Sequence, residues 1–286
     1  MPDSPLEPAY LKGEAFLRDV AAHGACGDAL ALWWLGQSGF LVRSGGRSVI
    51  IDPYLSDSLT EKYAGTDKPH DRITERIVDP AFLEGIDAAT SSHLHTDHCD
   101  AATLLPLTKA NPSLTLVLPA ANLEAVRERL GSGAPELLTL DRGGMADVEG
   151  IVFHGVAAAH NAVERDSQAR CRFLGYVIGI GPWRIYHSGD TLWHDDLVAE
   201  VLPHRPHVAL LPINGNKPER GVAGNLNGAE AAALARALGV RLAIPCHYGM
   251  FRFNTEPPAL FEETCLNLGQ AFRTLRQGES VVIEAC

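Results

Sequence analysis

The chain has no Cys-x-x-Cys pair. Its six cysteines, Cys26, Cys99, Cys171, Cys246, Cys265 and Cys286, are scattered over 286 residues. Such spacing builds no disulfide framework and predicts free thiols in a reducing cytoplasm. No apolar run is long enough to span a bilayer, which argues against a membrane partner. The first residues, Met1 to Glu7, lack a basic segment followed by an apolar one, so no secretory signal is expected. Cations are scarce, with 24 Lys and Arg against 35 Asp and Glu and a net charge of −11. That balance excludes a general polyanion binder, because affinity for a phosphate backbone needs clustered Lys and Arg, and nucleic acid is not an expected partner. A small anionic substrate stays open, since a pocket can differ in sign from the whole surface.

What is present suits a large core: 46% of residues are hydrophobic and 21% charged. One domain over residues 1–286 is expected. Leu11, Ala15, Phe16 and Val20 recur at helical spacing and predict a helix over 7–25, bracketed by Gly24 and Gly27. Strands are expected at 29–36, 39–43 and 47–51, the last two joined by a Ser44-Gly45-Gly46 hairpin turn. Trp33 and Trp34 face opposite ways, and at least one is core. Residues 56–79 are polar with no reliable period, the pattern of a lid or binding loop, and His70 within them reads as exposed and idle. Early strands run as a meander, and later ones (Phe173–Ile180, Trp183–His187, His207–Leu211, Arg241–Ile244) come to alternate with helices. Two pseudo-symmetric β/α halves, their sheets packed between outer helices, form the economical α/β (α+β) arrangement.

The densest chemistry lies in Ser91-Ser92-His93-Leu94-His95-Thr96-Asp97-His98-Cys99-Asp100. This follows the apolar-rich run from Ile86 to Thr90, a short strand ending in a polar loop, with a helix expected from Asp97 or His98. If extended, His93 and His95 share a face. Asp97 and His98 enter the same space from the turn. Imidazoles gathered this way lose hydration for little packing gain unless a cation holds them. Histidine nitrogens with a carboxylate oxygen suit zinc and similar divalent ions. Three further polar residues each follow a strand-like run: His160, Asp190 and His247. Active-site groups of layered α/β proteins sit just beyond strand ends. Asp52, after the third strand, is either a turn residue or a brace behind the metal loop.

With these residues in place, the chain resembles the metallo-β-lactamase superfamily. The signature H-x-H-x-D-H is matched by His93, His95, Asp97 and His98, and the later His, Asp and His by His160, Asp190 and His247. The resemblance implies a four-layer αββα sandwich. It implies one metal on His93, His95 and His160 and another on Asp97, His98 and His247, with Asp190 bridging and Asp52 supporting from behind. Within the superfamily, Trp33–Gly39, Tyr186–Thr191, Ile244–Tyr248 and the glycine-rich Asn214–Gly221 are most similar to the L-ascorbate-6-phosphate lactonase group. The chain departs from that group in lacking its longer tail and in carrying His160.

The expected activity is hydrolysis by a metal-activated hydroxide of a small molecule, a lactone or sugar-phosphate lactone, with Asp97, Asp190 and His247 in catalytic roles. Two divalent ions are expected, zinc or manganese, with iron also compatible. Lys217 and Arg220, with Asn216 on the same loop, are candidates for an anionic group, Arg offering a bidentate fork. His187 and His194, flanking Asp190, are candidates for substrate contact. Asn227 is expected to cap a helix, and the neighbouring Asn225 is a weaker candidate for the site. A homo-oligomer is compatible with the sequence. The alternatives are a phosphodiesterase or ribonuclease of the same superfamily, a mononuclear-iron thiol dioxygenase, and a non-catalytic metal-binding protein.

Overall fold

The computed structural model describes residues 5–23 and 27–285. Gly24 and Ala25, at the expected end of the first helix, and Cys26 and Cys286 lie outside the described residues. Helix α1 (Gly13–Ala22) is shorter than the expected 7–25, because Glu7 instead pairs in extended form with Thr74. Strands β1 (Leu30–Gly36), β2 (Gly39–Ser44), β3 (Arg47–Ile51), β4 (Ala88–Thr90), β5 (Thr115–Pro119) and β6 (Glu136–Leu140) form one sheet with the last strand, β13 (Ser280–Ile283), in the order β13-β1-β2-β3-β4-β5-β6. Strands β7 (Met145–Val148), β8 (Ile151–Ala157), β9 (Leu174–Ile180), β10 (Trp183–His187), β11 (Val208–Pro212) and β12 (Leu242–Cys246) form the second, in the order β12-β11-β10-β9-β8-β7.

The near-continuous apolar runs follow from burial on both faces. In β1, Leu30, Leu32 and Trp34 join the core between the sheets, while Ala31, Trp33 and Leu35 join a second core under the outer helices. The two-residue period of a strand sends Trp33 and Trp34 into different cores. Each large side chain fully buried this way contributes about 1.5–3 kcal/mol. The outer core is covered by α1, α3 (Ala101–Ala110) and α4 (Leu123–Leu130). The second sheet carries α5 (Leu197–Val201), α6 (Gly228–Leu238) and α7 (Ala259–Leu268). The result is the expected four-layer sandwich. Asn227 caps α6 in a full capping box with Glu230. Residues 56–79 are not structureless, because they hold α2 (Ser58–Lys62). Among the described residues, no helix is long and apolar enough to cross a membrane.

Strands β3, β4 and β5 run parallel, as do β10, β11 and β12. Strand β8 is antiparallel to β9, which is antiparallel to β10, so β8 and β10 point the same way. The loops after β3, β4, β8, β10 and β12 therefore open on one edge of the sandwich, where converging strand ends favour a site.

Candidate metal centre

The loop after β4 is fixed from several sides. The Ser91 N–H donates to the Val117 carbonyl at 2.9 Å, and the Leu174 N–H donates to the Ser92 carbonyl at 3.0 Å, which docks the loop on the second sheet. One guanidinium nitrogen of Arg129 donates to the carbonyls of Leu94 and Cys99, at 2.7 and 2.8 Å. The carbonyl of His95 accepts the N–H groups of His98 and Cys99, so the chain turns tightly here. Helix α3 starts at Ala101, later than the expected Asp97 or His98, because this turn precedes it and the Asp100 carboxylate caps it through the Ala102 N–H. The same carboxylate accepts from Ser56, Ser58 and Thr103, tying α2 to the metal-site loop.

The structure brings the seven candidate ligands together. Among the described residues, His93, His95 and His160 present ligand atoms all within 4.8 Å of one another, as do Asp97, His98 and His247, and also His93, His98 and Asp190. Asp190 lies between the first two groups. Its oxygens are 3.3 Å from His98 Nε2, 3.6 Å from His160 Nε2 and 3.2 Å from His247 Nε2. Gly189 delivers it there: with φ of +59° and only 2.8 Å between an added Cβ and the Ser92 side chain, no larger residue fits.

The outer atoms of these side chains are held by protein. The buried Asp52 carboxylate takes His98 Nδ1–H at 2.7 Å, the Ser92 N–H at 3.0 Å and the Thr90 hydroxyl at 2.8 Å, besides a short bond from the Ser92 hydroxyl. Asp52 is thus the brace and not a mere turn residue. His160 Nδ1–H donates to the Gly224 carbonyl at 2.9 Å. Such bonds fix the tautomer and leave the other ring nitrogen as the ligand. The inner atoms, by contrast, lack partners among the described residues: His93 Nε2, His98 Nε2 and Asp190 Oδ1 are buried without a hydrogen bond. Buried polar atoms are rarely left unpaired. This donor set of imidazole and carboxylate, turned inward and unsatisfied, fits divalent metal ions.

The electrostatics agree. Burial, and the nearby His98 and His95, push His93 well below its ordinary pKa, which keeps it neutral and able to ligate. Burial opposes charge on Asp97 and Asp190. The neighbouring imidazoles overcome it and hold both carboxyls well below the usual range, with His98 foremost for Asp97 and His247 for Asp190. In return, Asp190 and Asp97 raise His98 well above its ordinary value and His247 to about 9, again against burial.

Gln37, in the β1–β2 turn, was not singled out by sequence. It is 1% exposed, and its Nε2 donates to Asp97 Oδ2 at 2.9 Å and lies 3.2 Å from His247 Nε2. Its carbonyl accepts the His247 N–H at 2.8 Å. Gln37 and His247 both adopt positive φ, +49° and +59°, uncommon for side-chain-bearing residues and frequent where function constrains the backbone.

A cavity of about 380 Å³ opens over the candidate ligands, with His95, Asp97, His160, Asp190 and His247 on its lining. A larger groove, about 1000 Å³, lies at the opposite ends of β3 to β6. Its cation, Arg47, is paired with Asp87 and Glu149, and none of the candidate ligands lines it.

The structure does not place the expected substrate residues on that cavity. His187 is buried, with Nε2 at 3.0 Å from the Ser38 carbonyl and Nδ1 taking the Gly189 N–H at 3.3 Å. His194 Nε2 hydrogen-bonds the Ala157 carbonyl at 3.1 Å. Lys217 and Arg220 both end on Glu256, and Arg220 also grips the carbonyls of Asn214 and Thr255. Asn216 is exposed beside Gly224, outside the lining. Asn225 donates to Asn214 and does not reach the cavity. His70, expected to be idle, instead lines the cavity, stacked on Tyr63 with ring centroids 4.4 Å apart.

Known proteins resemble this chain over most of its length. The Beta-lactamase superfamily domain matches residues 47–248. A UPF0173 metal-dependent hydrolase of Aeropyrum pernix is 30% identical over 260 residues, covering 87% of this chain and 96% of that protein. Two solved structures share the fold. A metallo hydrolase of Ignicoccus hospitalis has TM-score 0.66 and 22% identity over 90% of this chain and all of that one. An isothiocyanate hydrolase from Delia radicum gut bacteria has TM-score 0.69 and 19% identity over 89% of this chain and all of that one. With the domain match extending over most of its length, the chain belongs to the metallo-β-lactamase superfamily.

Proposed function

We propose that the protein is a metal-dependent hydrolase of a small molecule, with two divalent ions at the edge of the sandwich. The observation that carries this reading is the pair of three-residue ligand groups joined through Asp190 on the floor of a cavity. His93, His95 and His160 would hold one ion and Asp97, His98 and His247 the other. When bound, such ions lower the pKa of a water towards neutrality and polarise the electrophilic oxygen of a substrate.

The chain's own residues prepare that chemistry. Asp52 and the Gly224 carbonyl set the tautomers of His98 and His160. Gln37 orients the carboxylate of Asp97, the one ligand carboxylate that is partly exposed to the cavity. Asp190, nearly fully buried, supplies the charge between the two groups.

A lactone is the favoured substrate, on the similarity of Trp33–Gly39 and Tyr186–Thr191 to the lactonase group. Zinc or manganese suits the ligand set. The protein would act on a free small molecule in the cytoplasm, and the net charge of −11 weighs against nucleic acid.

The test is a panel of γ- and δ-lactones and phosphodiesters, assayed after reconstitution with Zn²⁺ or Mn²⁺. Lactone opening that is lost in His95→Ala is expected. Phosphodiester cleavage without lactone turnover would overturn the lactone assignment. Oxygen consumption by an iron-loaded form with no hydrolysis would overturn the hydrolase.

A further inference from the structure

The wall facing the metal ligands is built by the segment that looked featureless in sequence. Tyr63 and His70 stack, and Phe253 meets His70 edge-on with centroids 4.7 Å apart. Burial holds the His70 imidazole below its ordinary pKa, so at neutral pH this wall is an uncharged aromatic face. Tyr54, Leu59, Met250 and Phe251 pack behind it as a separate small core. The cavity thus has one apolar side and one side made of ligand carboxylates and imidazoles.

Three cations also line it: Lys62, Lys68 and Arg129. Arg129 is committed to the carbonyls of Leu94 and Cys99. Lys62 is exposed beside the Tyr63 ring, its Nζ 5.2 Å from the centroid. Lys68 Nζ reaches across to the Gly221 carbonyl at 2.5 Å, which leaves its charge without a counter-ion. Among the described residues, neither lysine forms an ion pair with a carboxylate, whereas Lys217 and Arg220 both pair with Glu256. In a chain of net charge −11, two uncompensated ammonium groups at the mouth of one cavity attract anions to that place.

We infer that the substrate is a small amphipathic anion. Its apolar or aromatic body lies on Tyr63, His70 and Phe253, its carboxylate or phosphate is taken by Lys62 and Lys68, and its scissile bond reaches the metal ligands. The volume, about 380 Å³, is at the small end of ligand pockets and suits a molecule of one ring with a short charged arm. The inference rests on the hydrolase reading for the fate of this molecule but not for its binding.

Binding of phenylacetate, phenyl phosphate, acetate and the neutral 2-phenylethanol to the zinc-loaded full-length protein tests it. Calorimetry would compare wild type, Lys62→Gln/Lys68→Gln and the remote control Lys12→Gln/Lys109→Gln. The double Lys62/Lys68 variant should bind the two aromatic anions more weakly by on the order of tenfold or more, the scale of one lost charge-assisted hydrogen bond. The control should match wild type, and the wild-type advantage should shrink as salt rises. Preference for phenylacetate would assign a carboxylate substrate, and preference for phenyl phosphate a phosphorylated one; either supports the inference. Equal anion binding by wild type and the Lys62/Lys68 variant would overturn the lysine role, and acetate binding as tightly as phenylacetate would overturn the apolar wall. Because Lys68 also ties two loops together, Lys62→Glu alone serves as a second variant, with weakened anion binding expected and unchanged binding contradictory. If wild type binds anions through these lysines yet hydrolyses nothing, the hydrolase reading fails, and with it the scissile bond assigned here, while the anion-binding assignment stands.

Discussion

Asp52→Asn changes one atom behind the metal centre and isolates what that carboxylate does. Asp52 is fully buried at φ +40°, a backbone region that Asn tolerates. In the variant, the amide oxygen can keep the bonds from Thr90 and the Ser92 N–H. The amide NH₂ then takes the place of Oδ2, 2.7 Å from His98 Nδ1–H, and sets donor against donor. His98 can relieve this by moving its proton to Nε2, but Nε2 is the atom needed for a metal. Loss of such a supporting carboxylate costs about 10–100-fold in metal affinity, or about 1.4–2.7 kcal/mol. The whole loss should fall on the ion held by Asp97, His98 and His247. Competition titration against a chromophoric zinc chelator reads this directly. Wild type should take up two equivalents. Asp52→Asn should bind one with near wild-type affinity and the other weakened by that factor. If both equivalents bind as in wild type, while thermal unfolding shows a native variant, the tautomer argument is wrong.

Three other substitutions separate the site from its scaffold. Gln37→Leu removes the amide donor from Asp97; the same titration should show the second equivalent weakened about tenfold or more. Arg129→Ala frees the carbonyls of Leu94 and Cys99; because the residue is exposed and water can take its place, about 1 kcal/mol is expected, a fall of a few degrees in Tm by calorimetry. Asn227→Ala deletes the α6 capping box; a loss of about 1 kcal/mol in a denaturant titration is expected, with metal uptake unchanged.

The ligand groups were legible because their signals are local. The loop from His93 to His98 carries four donors in six positions, and Asp52, His160, Asp190 and His247 each follow a run with strand character. Strand alternation also separated Trp33 from Trp34 before their two cores were visible. Substrate-facing residues were not legible, since their roles are set by partners far along the chain. Lys217 and Arg220 look like free cations until Glu256, 39 and 36 residues later, engages both. His187 looks available until the Ser38 carbonyl, 149 residues earlier, takes its ring nitrogen. His70 looked idle because aromatic neighbours at 63, 251 and 253 converge on it only in three dimensions. Gln37 was hidden for the same reason: nothing in a β-turn glutamine points to a carboxylate 60 residues away.

The two-ion centre is tested most directly by counting metal. Elemental analysis of untagged protein, purified without chelators and then saturated with Zn²⁺, should give close to two equivalents per chain. His95→Ala and His247→Ala should each lower the count by about one. A single equivalent in wild type, retained in either variant, would contradict the two-group assignment that the account is built on.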